Sequence, residues 1–119
     1  MIENKVFGEM VIDYKAIVDE LASINIEELY LDYKVDFDEK FQNNMIRLQN
    51  AIILLKKARI AKDDLAVRAA LTCINIFTME IANFFDYLKE DTLRLSNALY
   101  TCDMPENYQV PEHYNFPRY

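Results

Sequence analysis

The sequence predicts an all-α fold: an antiparallel helical bundle of three main helices with a long central C-terminal helix, one extended segment near 29–37 and an irregular Pro/aromatic tail. Three observations carry this. The 119 residues include a single glycine, Gly8, where a small sheet protein needs several for its tight turns. Straight-chain and alanine-like helix formers fill the middle of the chain. Apolar residues also recur at three- and four-residue spacing over three long stretches. With 52% apolar residues, the chain is expected to form one core. The expected division is a helical-bundle domain over 1–102 and an extended tail over 103–119.

The first helix is expected over 5–22. Phe7, Met10, Val11, Tyr14, Ile17, Val18 and Leu21 share one face, and Glu9, Asp13, Asp19 and Glu20 lie elsewhere around it. Asn25 followed by Glu28 has the form of a capping box for a short helix. Residues 29–38, however, alternate apolar and polar like a strand. A lone strand needs a partner, so the segment is read as extended or irregular rather than helical.

The second helix is expected over 38–61. Phe41, Met45, Leu48, Ile52 and Leu55 form one stripe on it, and Ile46, Ile53 and Ile60 a second, a face wide enough for two neighbours. Lys56, Lys57, Arg59 and Lys62 suit its negative end. Asp63 and Asp64 then offer a cap, and a hairpin at 61–64 is preferred over one continuous rod. From Asp64 to Cys102, Val67, Leu71, Ile74, Thr78, Ile81, Phe85, Leu88, Thr92, Leu95 and Leu99 step by four and three, the seam of a left-handed bundle. Ala66, Ala70, Cys73, Phe77, Phe84 and Tyr87 add a second stripe. The first two-thirds of this helix, to about Leu88, are therefore expected to be the core. Residues 92–102 lack an obvious cover. The tail has Pro105, Pro111 and Pro117 and no helical period.

Charge is segmental: residues 1–39 carry net −8, 40–71 net +5 and 72–119 net −4. Cys73 and Cys102 on one helix would stand about 43 Å apart, beyond disulfide reach, so they are expected to be reduced thiols in a cytoplasmic protein. The N-terminal residues have no signal-like apolar run, and the longest strictly apolar run, 51–55, is too short to span a bilayer.

Catalytic signatures are sparse. The single histidine, His113, lies in the tail, without the neighbours that acyl transfer requires. There is no glycine-rich phosphate loop. The end of an EF-hand loop is imitated at 35–39, but Tyr30 and Tyr33 stand where a ligand and the turn glycine belong. Glu39 with Gln42, and Glu80 with Asn83 and Asp86, resemble the paired-acid pattern of MazG-type nucleotide pyrophosphohydrolases, which hold magnesium. Gln42 and Asn83 stand in place of two acids, leaving too little charge for a dehydrated dication.

No catalytic, cofactor-binding or metal-binding residue is therefore assigned. The expected function is non-enzymatic protein binding, as an adaptor, chaperone-like or inhibitory subunit, toward a protein partner or a homo-oligomer. Neither direct nucleic-acid binding nor a membrane is expected. The expected apolar partner-binding residues are Leu95, Leu99, Tyr100, Tyr108, Tyr114 and Phe116. A competing expectation is an acidic inhibitor that mimics nucleic acid through Asp32, Asp36, Asp38 and Glu39. A third is a degenerate all-α, metal-dependent nucleotide hydrolase.

Overall fold

A computed structural model describes residues 5–99 and 105–118. Three helices form: α1 (Val6–Leu21), α2 (Phe37–Ile60) and α3 (Asp64–Leu99). Short 3-10 turns occupy Ile26–Glu28 and Glu112–Tyr114. No strand forms among the described residues. The alternation over 29–37 has another origin: Leu29 in a bend, Tyr33 in a turn and Phe37 at the start of α2 are buried at four-residue spacing. The expected extension of α3 to Cys102 lies outside the described residues.

The hairpin between α2 and α3 turns at 61–63. Lys62 takes a left-handed φ of 56° and Asp63 accepts the Ala66 N–H at 3.1 Å, capping α3. The helices then run back antiparallel. On α2 the seam comprises Phe37, Asn44, Ala51 and Ala58, all buried, interleaved with half-buried Phe41, Leu48 and Leu55, a 4-3 repeat. On α3, Ala70 is fully buried, with Val67, Ile74, Phe77, Ile81, Phe84 and Leu88 half-buried. Small residues at the seam let the backbones approach closely, so the bulky stripes on either side are displaced outward.

α1 covers only one end of this hairpin. Phe7 makes edge contacts with Phe41 and Phe84, at centroid distances of 5.6 and 5.2 Å. The Tyr14 hydroxyl meets Thr92 Oγ1 at 2.5 Å. Because Thr92 already donates to the Leu88 carbonyl, Tyr14 is the donor in that bond. Lys5 provides no side-chain cap for α1. Instead Asp38, from the first turn of α2, accepts the N–H groups of Phe7 and Gly8 at 2.9 and 2.8 Å. A Cβ on Gly8 would sit 3.2 Å from Asp38 Oδ2, so the glycine permits this close approach.

The core lies at this base. Val18, Leu29, Tyr33, Phe37 and Leu95 are buried together, with Phe7, Val11, Tyr14, Ile17, Leu21 and Phe84 packed around them. This differs from the expected distribution: the first two-thirds of α3 bury only a narrow seam about Ala70, and the largest buried cluster includes the C-terminal third, because α1 and residues 22–36 wrap it. The α2–α3 pair beyond them projects as an arm. The radius of gyration is 19.6 Å, where a compact 119-residue chain would have about 13.5 Å.

Candidate functional site

The arm's exposed surface is apolar on the side that α1 begins to cover. On α3, residues 71, 78, 85, 92 and 99 form one row at seven-residue spacing. α1 takes the middle of that row, through Phe7 against Phe85 and Tyr14 against Thr92. Leu71 and Thr78 continue it and remain exposed. On α2 the matching row runs from Phe41, against Phe7, to Met45, Leu48 and Ile52, by helical spacing. Met45, Ile52 and Leu71 are 42%, 51% and 51% exposed. The apolar face against which α1 packs thus continues, exposed, toward the hairpin tip. Ile46, Ile53 and Ile60 on the outer side of α2, and Leu54, Ile76 and Met79 elsewhere on the arm, are also exposed.

Total accessible surface is 9849 Å², against about 6,700 Å² for a compact monomer of 14.1 kDa. The surplus of roughly 3,100 Å² includes the exposed tail as well as the exposed apolar residues of the arm.

The tip is basic. Lys56, Lys57, Arg59, Lys62 and Arg68 are all exposed, and no ion pair among the described residues uses them. α1, with its acidic outer residues Glu9, Asp13 and Glu20, packs at the opposite end of the hairpin.

The residues singled out from the sequence are dispersed. Leu95 is 3% exposed and belongs to the core; it offers nothing to a partner, because α1 and residues 29–37 cover it. Leu99, Tyr108, Tyr114 and Phe116 are exposed, and Tyr100 lies outside the described residues. Three of the four acidic candidates serve the fold: Asp32 accepts the Lys34 N–H, Asp36 caps α2 through the Glu39 N–H, and Asp38 caps α1. Glu39 is exposed. The arm residues Met45, Ile52 and Leu71 were visible as stripe members. Their exposure was not, since it depends on how short a reach α1 has.

On the other side of the hairpin an open cleft of about 760 Å³ lies between residues 30–37, α2 and α3. Glu39, Glu80 and Asn83 line it beside Lys40 and Arg47, whereas Gln42 and Asp86 do not. Asp86 faces Lys89 at 3.6 Å. The paired-acid pattern is therefore only partly brought together, and it is interleaved with cations. Among the described residues no group of three or more His, Cys, Asp or Glu is placed to hold a metal.

At the base, Asp91 is 1% exposed. It accepts the backbone N–H groups of Tyr30 and Leu31 and the Tyr33 hydroxyl, at 2.7, 3.0 and 2.8 Å. Burial, then the hydrogen bond and charge of Asp91, push the Tyr33 phenol well above its ordinary range. This is an anchor for the wrapping segment, because both carboxylate oxygens accept from donors of residues 30–33.

Searches of protein-family models, of characterised proteins and of solved structures found no match to this chain.

Proposed function

We propose that the chain is a non-enzymatic protein-binding module that works through the apolar face of the α2–α3 arm. The observation that carries this reading is the uncovered row of Met45, Ile52 and Leu71, continuous with the apolar face on which α1 packs. Apolar faces of this extent on a soluble scaffold mark interaction sites. The three-helix bundle expected from the sequence is local in this reading: α1 is the third helix at the base, and a partner supplies the missing helices along the arm.

A bilayer is the competing cover. α3 is long and apolar enough to cross a membrane by length and composition alone, and only 6% of its most apolar window is buried. Insertion of the hairpin would carry Lys56, Lys57, Arg59, Lys62 and Arg68 inward, at about 2.5–3.5 kcal/mol for each cation at the bilayer centre. A protein surface imposes no such cost, so a protein is the better occupant.

The test is capture. Immobilised wild-type chain should retain a protein, including tagged copies of itself, that the Ile52→Glu/Leu71→Glu double variant releases. Equal capture by both would contradict the reading. Circular dichroism should be unchanged, since both side chains are already half exposed.

A further inference from the structure

We infer that the arm's occupant is a second copy of this chain, docked antiparallel so that each basic tip lies against the acidic α1 end of its partner. This inference rests on the protein-binding reading above and adds to it the identity and orientation of the partner.

Three observations select a second copy. The first is size. From Phe41 to the turn the arm is about 30 Å long. A rippled face of that length, two helices wide, offers on the order of 800 Å² per partner, which is what a standard interface takes. The chain's surplus surface of roughly 3,100 Å², even with the exposed tail's share taken out, is of a size to include it.

The second is shape. The open face is the continuation of an apolar surface that already packs one amphipathic helix, with α1 meeting Phe41 and Phe85 through Phe7. The arm itself is a pair of helices with apolar flanks, so two arms laid face to face make a four-helix layer. Each arm's Met45, Ile52 and Leu71 would then be covered by those of its partner, as a two-fold contact requires.

The third is charge, and it fixes direction. The tip carries five exposed cations, Lys56, Lys57, Arg59, Lys62 and Arg68, against two exposed acids, Asp63 and Asp64, and among the described residues none of the five is in an ion pair. Side by side in parallel, two tips would bring like charges together, which is repulsive. Reversed, each tip reaches the far end of the partner's arm, where α1 begins and where Glu9, Asp13 and Glu39 are exposed. The tip, with five bases and two acids over 56–68, then lies against the exposed acids Glu9, Asp13 and Glu39, and the uneven charge becomes an orientation device.

Sedimentation equilibrium on the intact chain tests this. The wild type should show twice the 14.1 kDa chain mass. Ile52→Glu/Leu71→Glu should weaken the dimer at least tenfold, and Leu93→Glu, on the outer side of the base, should leave it intact. Lys56→Glu/Lys57→Glu should also weaken self-association, and mixing that variant with Glu9→Lys/Asp13→Lys should restore a heterodimer. Restoration supports the antiparallel orientation; a dimer indifferent to all these changes overturns it. A wild type that stays monomeric at high concentration, or that sediments instead with phosphatidylcholine–phosphatidylglycerol vesicles, overturns the second copy. In the monomeric case, capture of another protein that is lost in Ile52→Glu/Leu71→Glu preserves the protein-binding reading; absence of any such capture removes both.

Discussion

The Tyr33 hydroxyl donates to Asp91 Oδ2 at 2.8 Å across 58 positions of sequence, tying the irregular segment between α1 and α2 to the last third of α3. The same carboxylate holds the N–H groups of Tyr30 and Leu31. One side chain thus satisfies three donors, one of them buried and two part-buried. It explains why a stretch without regular structure stays packed on α3.

Asp91→Ala should destabilise the base by about 2–4 kcal/mol, because it leaves the buried Tyr33 phenol and two part-buried backbone N–H groups without their acceptor. Tyr33→Phe removes one of those bonds and should cost about 1–2 kcal/mol. Urea unfolding followed by circular dichroism measures both. Equal effects of the two substitutions would show that Asp91 does not act as a shared acceptor.

Tyr33 also sets an alkaline limit. Its folded-state pKa is raised above the value of about 10 for an unfolded tyrosine. Its contribution to stability is therefore fully present below pH 10 and is lost as pH rises through the folded-state value. Spectrophotometric titration should find one tyrosine that ionises only on unfolding, and Tyr33→Phe should remove that delayed step while the other tyrosines titrate as before.

Leu95 and Leu99 stand one helical turn apart and should behave oppositely. Leu95→Ala should cost about 2–5 kcal/mol as a core truncation, whereas Leu99→Ala, 47% exposed, should stay within about 0.5 kcal/mol. Thermal denaturation of the two variants side by side decides it.

α1 takes its N-terminal cap from α2, so Asp38→Ala should cost about 1–2 kcal/mol. The loss should be concentrated in α1: its amides should exchange faster, and those of the α2–α3 seam should not. Uniform acceleration would mean that Asp38 is not a local cap.

The helices and the turn at 61–63 were legible because they are set by local signals: spacing, the Asp63 cap and the charges closing α2. Which end of α3 is core was not. The stripes of Leu and Ile on α2 outweigh Asn44, Ala51 and Ala58 in any apolar pattern, yet those three are the buried seam, since close backbone approach favours small side chains. Leu95 looked uncovered because nothing in the sequence announces that residues 22–36 fold back on α3. That return depends on Asp91, which reads as one more surface acid until its donors are placed around it. The acids at 32, 36 and 38 read as a charged patch for the same reason: capping is a relation between backbone and side chain, and composition does not display it.

Hydrogen exchange along α3 tests the central claim most directly. At high protein concentration, amides over 67–82 should be protected nearly as well as those over 85–95, because the arm is covered in solution. In Ile52→Glu/Leu71→Glu, protection over 67–82 should fall while 85–95 keeps its own. Protection of 67–82 that is the same in both proteins, at every concentration, would contradict an arm that is completed by a partner.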